Sequence, residues 1–389
     1  MTSKRLHLGS AMMFTSAFAL GGCALTASVD GDAKGEAAGD VPVTGTFSPR
    51  SVAAPPPVES HCSPAPALLR SALCVCGSLE IAGSLRTHAP AGKTADVGVE
   101  GHAKLASGST IRGSLWARDE IESAGSLDVG AHLWGGKGVR AAGSLDVGGD
   151  LASGGDLRGA GSLEVRGDVR VAGRNAFVGS QDIGGVAAYS APASSACGCE
   201  APYDVRGAIE VARTVNDNAG SAISAEGILV RGSQSLVLKS GRYYVKELAS
   251  VGALAITIEG STQLYIDGDL EMAGSIRFVL APSATLDLFV AGNVRGAGSS
   301  ALGEGASPES FRLFVGGEHV KMAGSQDFRG LVYAPNAEVD LAGSTDIHGS
   351  LFARSLDHAG SLDITYAAVS TQGERCEHPL PASPDVVVR

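Results

Sequence analysis

Four acidic side chains recur at one interval: Asp128, Asp146, Glu164 and Asp182 stand 18 residues apart. If the chain stacks on itself with that period they form a ladder, and the chemistry such a ladder offers is bridging of a divalent cation such as calcium. Like charges about 5 Å apart repel by roughly 1 kcal/mol in water, so a ladder needs cations or screening. The favoured reading is an exposed acidic stripe without metal, screened by solvent, salt and the bases Arg140, Arg158 and Arg166. Calcium on the ladder is the alternative. Thiols are the second reactive set: besides Cys23 the chain holds Cys62, Cys74, Cys76, Cys197, Cys199 and Cys376. An even number in an exported chain is read first as disulfides, with the connectivity open. A metal site on the two Cys-x-Cys pairs is disfavoured, because the spacing is tighter than in zinc knuckles and no histidine lies close to either pair. The histidines beyond residue 60 (His61, His88, His102, His132, His319, His348, His358 and His378) show no metal-binding spacing and read as surface or turn residues, with His348 and His358 approaching across adjacent coils.

What must position these groups is a repeat. Gly supplies 54 of 389 residues and aromatics only 5%, without the three-residue Gly period of collagen. Gly-Ser recurs at Gly125, Gly143, Gly161 and Gly179, again 18 residues apart, and a fixed period of this size marks a solenoid. Rows of 18 align apolar columns: Ile121, Val139, Leu157; Leu127, Leu145, Leu163; Val129, Val147, Val165, Ile183; and Leu133, Leu151, Val169. Between them polar and apolar residues alternate, as in Leu127-Asp128-Val129, which is the period of a strand with one buried face. The expectation is an all-β chain, a parallel β-helix of about 18 residues per coil, with glycine at the turns. The handedness of parallel crossovers favours a right-handed coil, although left-handed ones also use 18 residues.

The theme returns at Gly274, Gly298, Gly324, Gly343 and Gly360, at intervals of 24, 26, 19 and 17, so some coils carry loops. Between the two parts, residues 203–215 predict a short helix with Val205, Ile209, Ala212 and Ala208 on one face. Asn216-Asp217-Asn218 ends it, and reads as a turn rather than a calcium loop.

The N-terminus carries Lys4 and Arg5, an apolar run over residues 6–20, and then small residues, which is the layout of a secretory signal. Leu20-Gly21-Gly22-Cys23 resembles the lipobox of bacterial lipoproteins. The resemblance implies cleavage before Cys23, a diacylglycerol and acyl lipid on that cysteine and membrane attachment; Ala24 after it favours the outer over the inner membrane. Residues 24–72, rich in Ala, Gly, Pro and Ser, read as a flexible tether.

A second resemblance rests on Thr214-Val215-Asn216-Asp217-Asn218-Ala219, Leu238-Lys239-Ser240-Gly241-Arg242-Tyr243-Tyr244, Leu264-Tyr265-Ile266-Asp267-Gly268-Asp269-Leu270 and, most strongly, the run from Gly330-Leu331-Val332-Tyr333 through Asp340-Leu341 and then Ile347-His348-Gly349-Ser350-Leu351-Phe352. Over residues 203–369 the chain resembles an uncharacterised exported domain found at the C-terminus of type IV pilus-assembly (PilX-type) proteins. The resemblance implies a β-solenoid in the envelope and no particular activity. Those relatives carry Asn after the repeat glycine where this chain has Ser, implying an internal amide ladder replaced by hydroxyls. The N-terminal repeats also resemble, through coil pattern alone, the polymer-forming bactofilins.

The expected organisation is a signal peptide at 1–22, lipidated Cys23 and tether at 23–72, a first solenoid at 73–187, a Cys-x-Cys linker and helix at 188–224, a second solenoid at 225–370 and a tail at 371–389. A net charge of −11 and a pI near 5.3 argue against nucleic acid, and no Gly-rich run has the context of a phosphate loop. Polysaccharide lyases and hydrolases on β-helices are the enzymatic alternative, but they need clustered carboxylates or a base beside a metal, whereas these acids recur once per coil. The expected function is therefore non-catalytic: a membrane-anchored envelope scaffold or binding surface without cofactor, whose partners are envelope polymers, pilus components or, end to end, itself.

Overall fold

The computed structural model describes residues 71–190, 197–199, 202–221 and 223–367, all of them within the compact unit that spans residues 60–389. Cys23, Cys62 and Cys376 lie outside the described residues. The described chain is a parallel β-solenoid of about 12 turns, with 62% strand, 3% helix and turns about 21 residues apart on average. Each turn is three short strands, for example Leu115–Ala117, Glu120–Ser123 and Leu127–Val129. The next turn repeats them 18 residues on, with Leu133 over Leu115, Val139 over Ile121 and Leu145 over Leu127. The predicted apolar columns are the core: every member is buried except Ile183, which sits in the last coil with no described strand above it. Turns in the second part are longer, as the offsets Leu264 to Leu288 and Leu288 to Leu313 show.

The Gly of each Gly-Ser pair is required by contact with the coil below. A Cβ on Gly143 would lie 2.6 Å from the Gly125 carbonyl oxygen, one on Gly161 2.4 Å from that of Gly143, and one on Gly179 1.9 Å from that of Gly161. Gly161 and Gly179 also hold φ of +136° and +130°, where side chains with a Cβ are strained. The serines that follow are exposed, not internal: Leu127 and its equivalents point inward, so by alternation Ser126 and Asp128 both point out. The internal hydroxyl ladder expected from the family resemblance is therefore corrected to an outward one.

The order of coils in space differs from their order in the chain. Leu73, Leu79 and Leu85 in the first coil of the N-terminal part pair in parallel with Leu351, Leu356 and Leu362 in the last coil of the C-terminal part. The two parts form one continuous ladder: the chain enters in the middle, winds out to Val186, returns along the side, and winds from Ile228 back to the point of entry. The same glycine file crosses this seam, since a Cβ on Gly83 would lie 1.7 Å from the Gly360 carbonyl oxygen.

The returning segment contains the helix, α1 (Val205–Thr214), whose buried residues are Val205, Ile209 and Ala212, with Ala208 half-buried. Asp204 caps it by accepting from the Gly207 N–H. Asn216 donates to the Ala212 carbonyl, Asp217 accepts from the Arg242 N–H, and Asn218 both accepts from the Tyr244 N–H and donates to its carbonyl. The triplet ends the helix and fastens it to strand Gly241–Val245.

Candidate binding surfaces

The three strands per turn give the rod three sides of different chemistry. The first side carries an outward aromatic column of Tyr244, Tyr265, Phe289, Phe314, Tyr333 and Phe352, continued by Cys74 and Gly98 and then by Trp116 and Trp134. Tyr265, Phe289 and Phe314 stack with centroids 4.7 Å apart at each step. The apolar stripe of α1 packs on this column, and Tyr203 joins it against Phe314, so aromatics pointing out of the solenoid are buried all the same. Burial pushes the Tyr265 phenol up to about 12 and also raises Tyr203 and Tyr333, which keeps them neutral. Ahead of the helix, Cys74 bonds Cys197 and Cys76 bonds Cys199, pinning the return segment to the coil through which the chain enters. Beside the column Arg312 makes a two-pronged ion pair with Asp287, and Arg242 reaches Gln263. A groove of about 310 Å³ lies where α1 begins, between Tyr203, Asp204, Arg206, Glu318 and Asn336, but Asp204 is already engaged as the helix cap.

The second side is a ladder of alternating charge. Arg140 pairs with Glu120 and Glu122, Arg158 with Asp156, Arg295 with Asp269 and Glu271, and Lys321 with Asp340. Contrary to the sequence reading, Arg140 and Arg158 are thus spent here and do not screen the acidic stripe. Of the three named bases only Arg166 faces that stripe, 3.9 Å from Glu164.

The third side holds the stripe itself. Asp128, Asp146, Glu164 and Asp182 stack in register below one another as the period implied. Apart from Arg166 the base that approaches is Arg112, 3.6 Å from Asp128. Among the described residues no three His, Cys, Asp or Glu side chains converge in a way that could hold a metal ion. The acids recur evenly along a flat side, which suits a repetitive partner better than a single small molecule.

Inside the rod sits a polar file that the sequence reading missed. Ser300, Gln326, Thr345 and His358 are all buried in the core. Thr345 donates to Gln326, and His358 Nε2 lies 3.4 Å from the Thr345 hydroxyl. His358 is therefore not the surface residue expected; its ring is fully buried directly beneath Ile81, at the seam between the two parts. Burial holds its basicity below the usual histidine range. The one available signal was the polar residue at a core position of the repeat, in Ser300, Gln326 and Thr345.

No curated protein matches the chain. A crystal structure of an ice binding protein from an Antarctic bacterium, Flavobacteriaceae, aligns over 77% of this chain and 81% of that chain at 10% identity with a TM-score of 0.20, a likeness that carries no argument. Residues 200–369, the helix and the second part of the solenoid, match the family described as a domain of unknown function (DUF7305).

Proposed function

We propose that the chain is an exported lipoprotein, anchored in the cell envelope through lipid on Cys23, preferentially in the outer membrane, whose solenoid serves as a non-catalytic scaffold or binding surface for envelope polymers or pilus components. The observation that carries the reading is the distribution of ionisable groups: on the second side acids and bases repeat turn by turn and pair with one another, on the third side the acids form an even column, and among the described residues no three of them converge as a metal site would require. Two disulfides between distant segments support export, since such bonds persist in oxidising compartments.

The test is metabolic labelling with a fatty-acid analogue in cells expressing the wild type or Cys23→Ser, followed by membrane fractionation and by incubation of the purified chain with isolated envelope polysaccharide. Label on the wild type alone, membrane release of the variant, and retention of intact polysaccharide support the proposal. An unlabelled wild type removes the anchor, and shortened polysaccharide removes the non-catalytic reading.

A further inference from the structure

The two ends of the rod match one another, and we propose that copies of this chain stack head to tail through them. This goes beyond the scaffold reading and does not depend on the anchor. Among the described residues the large apolar side chains left exposed cluster at the ends: Val178 and Val186 in the last coil, Leu229 and Val237 in the first, and Val251 in the turn after it. The two that remain, Val211 and Val215, lie at the end of α1, which is fastened to that same first coil.

Among the described residues each end also presents a strand edge with no further pairing. Strand Asn175–Val186 pairs on one side with Asp156–Val171, and strand Ser233–Leu238 pairs on one side with Ala253–Ile258. Such edges are templates for another chain. Of the other two strands of the first coil, Ile228–Val230 and Gly241–Val245, the latter is covered by the molecule's own Asp217 and Asn218, so a second copy meets this end through its other sides.

The edges agree residue by residue. One reads Gly179-Ser180-Gln181-Asp182-Ile183 and the other Gly232-Ser233-Gln234-Ser235-Leu236. They occupy the same columns: Gln181 stacks on Leu163 and Gln234 on Leu254, Ile183 on Val165 and Leu236 on Ile256. Laying one copy's 232–236 on another's 179–183 in parallel register sets glycine on glycine, serine on serine, amide on amide and Leu236 on Ile183. It also ends the acidic column on a neutral Ser235 rather than on another carboxylate.

The molecule already contains the buried form of this arrangement. The third Gly-Ser-Gln, at 324–326, lies inside the rod, and there Gln326 is 2% exposed, accepts from Thr345 and sits over Ser300. At that end Gln181 is instead tied down by the Asn175 amide and the Phe177 carbonyl, which sets polar groups over the core. Because the mating surfaces differ, the contact is heterologous, and because it adds coil upon coil along the rod axis it propagates into linear rods.

The experiment is sedimentation velocity and negative-stain microscopy of the full chain in detergent over a concentration series, with Gln181→Arg, Gln234→Arg and a mixture of the two. The wild type should form rods that lengthen with concentration, and each variant alone should remain a single rod. The mixture should give rods of two copies and no longer, because one intact end of each kind remains. Both glutamines are exposed, and circular dichroism matching the wild type verifies folding. A wild type that stays single at every concentration overturns the proposal. So do variants that still elongate, or a mixture that fails to pair, while anchoring and polymer binding would stand unaffected.

Discussion

Removing the disulfides should reveal that they are nested rather than independent. Cys74–Cys197 and Cys76–Cys199 each span 123 residues, and either alone closes the same loop, from the entry coil out through the N-terminal solenoid and back. In the chain-entropy treatment a loop of that size is worth about 5 kcal/mol at 25 °C, whereas the second bridge then closes only the short ring between the two Cys-x-Cys pairs, worth about 2 kcal/mol. Replacing Cys76 and Cys199 with Ala should therefore cost about 2 kcal/mol, and so should replacing Cys74 and Cys197, apart from a packing loss because that pair is buried in the lateral core. Replacing all four should cost about 7 kcal/mol, more than the sum of the two partial losses. Guanidinium unfolding of the three variants and the wild type measures this. Single-bridge losses that each reach about 5 kcal/mol, or that add to the four-residue loss, would refute the shared loop.

Two further outcomes follow from the core. Protonation of His358 is opposed by burial in the folded state, so its folded value lies below the ordinary 6.5. The folded chain then binds fewer protons, and this site leaves stability unreduced above pH 6.5 and lowers it as pH falls from there toward the folded value, by up to about 1.4 kcal/mol per pH unit. Urea titrations at pH 7.5 and 5.5 should show that loss in the wild type and less of it in His358→Asn; equal losses refute the assignment. Gly161→Ala should destabilise by about 1–3 kcal/mol from backbone strain alone and by more from its collision with the Gly143 carbonyl. Gly92→Ala carries positive φ with open space around it and should cost only the strain, so thermal melts that rank the two variants the other way would contradict the contact argument.

The coil was legible because one period fixes it: Gly143, Leu145 and Val147 repeat Gly125, Leu127 and Val129, and a side chain that faces the core in one turn faces it in the next. The helix was legible from Val205, Ile209 and Ala212. What it packs on was not, since Tyr244, Tyr265, Phe289 and Phe314 stand at unequal intervals of 21, 24 and 25 residues and line up only after the loops are looped out. The acidic column was read in the right register with the wrong neighbours, because the period says which residues share a column but not which columns share a side. Arg140 and Arg158 accordingly ended among the acids of another side.

The permuted order of the coils was beyond the sequence for a related reason. A parallel coil offers the same hydrogen-bonding edge to any other coil, so self-similarity makes each turn a possible neighbour of every other and specifies no sequence of stacking. The order is set instead by the exceptions to the repeat. Cys74 and Cys76 bring the return segment to the entry coil, α1 requires the aromatic column that only the C-terminal part supplies, and Ile81 lies on buried His358 at the seam. The same reasoning applies to the free ends. Where Gln326 has neighbours above and below, a core glutamine is satisfied inside the rod; where Gln181 and Gln234 each have a paired neighbour on one side alone among the described residues, the column stops at an amide that a further coil would cover. Whether that coil comes from the same chain or from another is a question of supply, because the edge itself is identical in both cases.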